Sequence, residues 1–158
     1  MCSMPKLTDL TAAGGVLMNG QSFNETRALE VTPVGADAIV SQLILDGLNV
    51  PNGGKVGARI YAVSSQSLIA SGDVNVGSGA NQQVIVNVAA TLAAGKSYMV
   101  GFFVEAAQTA SATLFLPSSL PYSSGAFNVS AIRELAADGY PVNVNQGAPK
   151  VTIQSCGP

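Results

Sequence analysis

The side chains able to do chemistry are few, and their spacing assembles no reaction centre. Histidine is absent, which removes the usual general base near neutral pH, the Ser-His-Asp arrangement, the Cys-His pair and most transition-metal sites. The nine acidic residues are scattered between Asp9 and Asp138. A carboxylate pair can hydrolyse a glycoside, but several of these acids stand beside turn glycines, where Asp serves the backbone. No catalytic residue is assigned, and the expectation is a protein that is not an enzyme.

Three patterns need weighing. Gly95-Lys96-Ser97 matches the end of a phosphate-binding loop, G-x-x-x-x-G-K-[ST], but the first glycine would fall on Ala90. Such a loop must also open a helix whose first N–H groups hold phosphate, whereas the residues that follow, Tyr98-Met99-Val100-Gly101-Phe102-Phe103-Val104, read as a strand. A turn is expected there, without a nucleotide. Asp46 with residues 49–54, and Asp73 with Asn75, are loop positions of the kind calcium accepts. Neither has the repeated carboxylates of a dedicated site, so no metal and no other cofactor is expected. Finally, Tyr61 lies opposite a core-facing row and Tyr122 lies in a long loop. These two are the candidate ligand-binding residues, as platforms for stacking on sugar rings. The competing expectation for a tyrosine is a packed ring with a hydrogen-bonded hydroxyl at a sheet margin.

The two cysteines, Cys2 and Cys156, lie almost at the two ends of the chain. A bond between them would close a long loop, worth roughly 4–5 kcal/mol on loop-entropy grounds. Two reduced thiols on frayed tails are the expectation, and without histidine they are too few for a four-ligand structural zinc site. Asn24-Glu25-Thr26 and Asn128-Val129-Ser130 fit the glycosylation triplet, a pattern frequent by chance.

Only 10% of the 158 residues are charged, seven basic and nine acidic, against about 25% in ordinary soluble domains. Residues 74–95 and 106–132 carry no charge at all. Ser, Thr, Asn, Gln, Gly and Ala take the place of charge, which suits a surface covered by neighbours or built for extracellular durability. Neither sign is clustered, so neither nucleic acid nor a membrane surface is an expected partner. No run approaches the roughly 18 apolar residues of a membrane-spanning helix. The opening Met1-Cys2-Ser3-Met4-Pro5-Lys6 lacks an apolar core behind a basic start, so synthesis in a cytoplasm is expected.

The elements that must position these residues repeat with period two. In Val56-Gly57-Ala58-Arg59-Ile60-Tyr61-Ala62-Val63 one face carries Val56, Ala58, Ile60 and Ala62, and the other carries Arg59 and Tyr61. Val84, Val86 and Val88 alternate likewise. Residues 98–104 are apolar on both faces and predict a central strand, with Val100 and Phe102 on the core side and Phe103 opposite. Leu43 and Leu45 mark a strand over 38–45. Weaker strands are expected at 16–18, 28–32, 68–76, 113–116, 126–130 and 151–154. Asp46-Gly47, Pro51-Asn52-Gly53-Gly54 and Gly77-Ser78-Gly79 read as turns, residues 117–125 as a long loop, and residues 131–138 as a short helical stretch. The prediction is all-β: a two-sheet antiparallel β-sandwich or jelly roll over residues 16–158, preceded by an N-terminal arm over residues 1–15.

Two stretches carry a resemblance. Gly57-Ala58-Arg59-Ile60-Tyr61-Ala62-Val63 leading into Leu68-Ile69-Ala70-Ser71-Gly72 resembles a hairpin of phage and bacterial β-sandwich modules. Thr91-Leu92-Ala93-Ala94-Gly95-Lys96-Ser97-Tyr98-Met99-Val100-Gly101 is similar to the entry into their central strand. The resemblance spans roughly residues 35–154 and brings no catalytic residue with it. It implies a virion component of a bacteriophage, a capsid decoration (cement) or tail-fibre protein, or an accessory domain of secreted proteins. The resulting expectation is a structural protein of the virion that stabilises a shell by binding across neighbouring subunits. Its partners would be the major capsid protein, other virion subunits and copies of itself as a homo-oligomer. The alternative is a carbohydrate-binding or receptor-binding tail module working outside the cell.

Overall fold

A computed structural model describes residues 2–4, 14–106 and 110–156 of the protein. The described residues form thirteen strands and no helix: β1 (Cys2–Ser3), β2 (Val16–Ser22), β3 (Thr26–Pro33), β4 (Ala38–Val50), β5 (Gly54–Ala62), β6 (Leu68–Val76), β7 (Gly79–Leu92), β8 (Tyr98–Ala106), β9 (Ser111–Leu116), β10 (Tyr122–Ser124), β11 (Phe127–Leu135), β12 (Asn143–Val144) and β13 (Ala148–Cys156). A six-stranded sheet has β4 at its centre, with β7 on one side and β13 and β9 on the other. There β1 extends from β13, and β2 extends from β9. A seven-stranded sheet runs β10-β11-β3-β8-β5-β6, with β12 beside β11. All pairings are antiparallel, and the two sheets pack face to face as a β-sandwich.

The period-two rows of the sequence become the inner faces. Val56, Ala58 and Ile60 from β5, Val100, Phe102 and Val104 from β8, and Val84, Val86 and Val88 from β7 meet in one core. Strand β8 is central, paired with β3 on one side and β5 on the other. Phe102 is fully buried on its inner side, while Phe103 packs on the outer side, beneath the Arg59 guanidinium at 5.8 Å from the ring centre.

Sequence and structure part where a bulge shifts the register. Asp46-Gly47 is not a turn. It lies inside β4, where pairing with β7 slips between Leu45 and Leu48 and Gly47 adopts φ 75°. A left-handed glycine admits an extra residue into a strand without ending it. The inward set therefore passes from Leu43 and Leu45 to Leu48 and Val50. The helical stretch expected over 131–138 is likewise corrected. Residues up to Leu135 belong to β11, whose register shifts between Val129 and Ala131. That bulge puts Val129 and Ile132 on one face at spacing three, which imitates a helix in the sequence. The long loop at 117–125 holds the short strand β10, which pairs with β11.

The arm expected over residues 1–15 is corrected at its beginning. Cys2 and Ser3 pair with Cys156 and Ser155 in β13, while residues 5–13 lie outside the described residues. Reduced thiols on frayed tails are also overturned, because Cys156 closes a strand and is disulfide-bonded. Antiparallel register sets the two cysteine backbones directly opposite, which free ends would not do.

Two stability measurements test this account. Phe102→Ala removes a fully buried ring and should cost about 3–5 kcal/mol in chemical denaturation; a loss below about 1 kcal/mol would make β8 peripheral. Cys156→Ser should cost up to about 4–5 kcal/mol under non-reducing conditions, the loop-entropy value, and an unchanged midpoint would mean that the bond leaves stability untouched.

Candidate functional site

Neither candidate tyrosine offers a ring for stacking. Tyr61 is only 5% exposed and Tyr122 only 7%, so the expected sugar platforms are corrected on both counts. Tyr122 lies in β10 and packs edge-to-face on Phe115 in the main core, centroids 6.2 Å apart. Burial pushes its phenol well above the ordinary tyrosine range. Tyr61 points to the outer face of the seven-stranded sheet, as its period-two position dictates, but that face is covered. Residues 136–142 cross over it, bringing Tyr140 edge-on to Tyr61 at 5.6 Å, and Ala28, Tyr61 and Met99 make a second small core there.

The crossing segment is fastened by charge. Arg59 donates from Nε and Nη2 to both carboxylate oxygens of Asp138, at 2.9 and 3.0 Å, and from Nη1 to Asp73 at 2.8 Å. Thr26 Oγ1 adds a hydrogen bond to the Ala137 carbonyl at 2.6 Å. Gly57 makes room for this arrangement, because a Cβ at that position would run into Arg59 and Asp73. Hydrogen bonding from Arg59 holds the Asp138 carboxyl below the ordinary carboxylate range. A second arginine, Arg27, lies at one end of the sheet between Glu25 at 2.8 Å and Glu134 at 3.3 Å, and also reaches the Asn145 side chain and the Gly147 carbonyl. Burial, aided by a hydrogen bond with Glu134, raises the Glu25 carboxyl. These clusters tie segments together, and each acid that touches an arginine here is occupied by that contact.

The calcium-like positions are similarly occupied. Asp46 accepts a hydrogen bond from Gln83 at 2.9 Å, and Asp73 pairs with Arg59. Among the described residues no group of three or more His, Cys, Asp or Glu converges as metal ligands. Gly95-Lys96-Ser97 forms a turn with Gly95 at φ 77°, leading into β8 rather than into a helix.

Among the described residues, the outer face of the six-stranded sheet where β7, β4 and β13 run side by side is exposed along β7, while Ile44 of β4 and Thr152 of β13 on the same face are buried. The charge-free run of the sequence becomes β7, a strand of 14 residues that among the described residues pairs only with β4 and so forms an edge of the sheet, approached by β6 at Gly72. Its outward row includes Gln83, Ile85, Asn87, Ala89 and Thr91, all exposed. Ile85 is 48% exposed opposite Ile44, and Ile39, at 42%, lies opposite Thr91. Between these apolar positions the polar side chains are already paired across strands. Gln42 donates to Asn87 at 3.0 Å, and Ser41 donates to Gln154 at 3.0 Å. The charges facing this way, Asp46 and Lys150, stand together at one end. The face can bury apolar and amide surface without stripping water from an isolated charge. Sequence reasoning found its raw signal, the uncharged run, but not that the run would be an edge.

Comparison with protein-family models and with curated proteins gave no match.

The Asp138 linkage predicts a pH dependence. An acid whose folded pKa is lowered contributes stability that is complete above its unfolded value, near 3.8, and is lost as pH falls through the folded value. Asp138→Asn should therefore lower stability at neutral pH by about 1 kcal/mol, as expected for a partly exposed pair. It should also flatten the acid limb of a stability–pH curve, whereas a parallel curve would remove Asp138 from the acid response.

Proposed function

We propose that the protein is a non-enzymatic structural module of the capsid-decoration or cement kind. It docks the β7–β4 face and edge against neighbouring shell subunits and against copies of itself. The observation that carries this reading is β7, a 14-residue edge strand without a single charge. Exposed edges are ordinarily protected by lysine, proline or brevity, because unpaired backbone groups invite another chain. An edge this long and uncharged, flanked by exposed Ile85 and Ile39, fits a surface that is covered in the working assembly. The cross-strand amide pairs reduce the side-chain ordering that docking must otherwise supply. A disulfide at Cys156 fits a virion surface or another oxidising setting. The alternative, glycan recognition through Tyr61 and Tyr122, lacks an exposed ring to carry it.

Sedimentation velocity over a concentration series tests the reading. Self-association should appear as concentration rises and persist at high salt, since few charges contribute. It should bury more than roughly 1,000 Å² per complex. Ile85→Lys should abolish it with the melting temperature unchanged. A wild-type protein that stays monomeric throughout and does not co-sediment with phage shells would overturn the proposal.

A further inference from the structure

A cleft among the described residues lies beside the amide-paired centre of the docking face, at one end of the sandwich where β6 and β7 face each other across the two sheets. At Gly72 these strands nearly touch: a Cβ there would strike the Asn87 carbonyl. Farther along they enclose a cleft of about 970 Å³, whose walls include Ile69 of β6, Thr91 of β7, Val63 and Ser64 of the turn after β5, and Lys96 and Ser97 before β8. Alanines, among them Ala62 and Ala90, line it as well and leave space that larger side chains would fill.

The chemistry of the lining is specific. Lys96 is the one charged residue among those lining the cleft, and it makes no ion pair among the described residues. The nearby carboxylate of Asp37 is held by the Ala94 N–H and is not part of the lining. Hydroxyls come from Ser64, Thr91 and Ser97, and Ser97 is oriented by Thr32 at 2.8 Å. Val63 and Ile69 supply an apolar wall. The turn that carries Lys96 is fixed by three backbone hydrogen bonds, Gly95 N–H to Pro33, Lys96 N–H to Ala93 and Val63 N–H to Ser97. The backbone that presents the ammonium is thereby set before any ligand arrives. One cation, several hydroxyls and an apolar wall in a cleft of this size match a small ligand with one acid, several hydroxyls and a carbon face.

We propose that this cleft binds a carboxylate-bearing sugar, with the acid on Lys96, ring hydroxyls on Ser64 and Thr91, and the ring or N-acyl carbons against Val63 and Ile69. The site is separate from Tyr61 and Tyr122; it shares Ala89 and Thr91 with the outward row of β7, but it does not rest on the docking proposal. A phosphate ligand fits less well, because the turn offers one lysine and no helix N-terminus to share a doubly charged group.

The probes are N-acetylneuraminic acid, glucuronic acid, uncharged glucose and ATP, titrated into the intact protein and followed by amide chemical shifts. One or both sugar acids should saturate, with shifts centred on residues 62–64, 89–91 and 96–98, while glucose and ATP should not. Lys96→Ala should weaken binding about tenfold or more, the scale of a lost charge-assisted hydrogen bond. Thr91→Val should weaken it less, and both variants should melt as the wild type does. Ile85→Lys should leave sugar binding intact, and Lys96→Ala should leave self-association intact, so the two proposals fail separately. Absence of saturation by either acid, equal binding of glucose, tighter binding of ATP, or affinity unchanged in Lys96→Ala would each overturn the assignment.

Discussion

Strand β8 is buried on both faces, and this constraint organises the rest of the molecule. One face of Tyr98–Ala106 packs into the space between the sheets through Val100, Phe102 and Val104. The other carries Met99 and Phe103, which also have almost no contact with solvent. Burying that second face requires a layer beyond the two sheets. Residues 136–142 provide it, with Tyr140 over Tyr61 and Asp138 clamping Arg59 above Phe103. The arginine is held by two carboxylates, a backbone carbonyl and a ring at once. Its charge is thus compensated in a place where an unpaired one would be costly.

That covering layer makes the outer faces of the two sheets differ in exposure. Over Tyr61, Arg59 and Phe103 the outer face of the seven-stranded sheet is covered by residues 136–142, while along β6 Leu68, Ser71, Asp73 and Asn75 stay exposed. The outer face of the six-stranded sheet is exposed at Ile39, Ile85, Asn87, Ala89 and Thr91, and buried at Ile44 and Thr152. Its amides are paired laterally across the strands, leaving Ile39 and Ile85 outward. The covered patch contributes to folding, whereas the exposed row along β7 is left to the proposed docking.

Strands β1 and β13 belong to the six-stranded sheet. Pairing of Cys2–Ser3 with the end of β13 places the amino-terminal strand on the same sheet as the proposed docking face, on the side of β13 away from β4. Loop closure by the disulfide at Cys156 acts chiefly by limiting the unfolded chain. It suits a module whose core is built from small and branched aliphatic side chains without a tryptophan.

The sequence by itself determined the all-β class, the inward rows Val56-Ala58-Ile60 and Val84-Val86-Val88, the central position of residues 98–104 and the turn at Gly95. Each is local, because side chains that alternate at period two declare a strand and its faces within a few residues. It also disclosed the uncharged run that became β7. Only the tertiary structure decided the rest. A bulge changes which parity faces inward, so Asp46-Gly47 read as a turn and the stretch after Ser130 as a helix until their partner strands were in place. Position alone implies exposure for Tyr61 and Tyr122, but burial depends on what crosses above them, and Tyr140 is 79 residues away from Tyr61 in the chain. The cleft around Lys96 draws on four separate segments. Its chemistry is set by the gap between two sheet edges, a distance that no local pattern encodes.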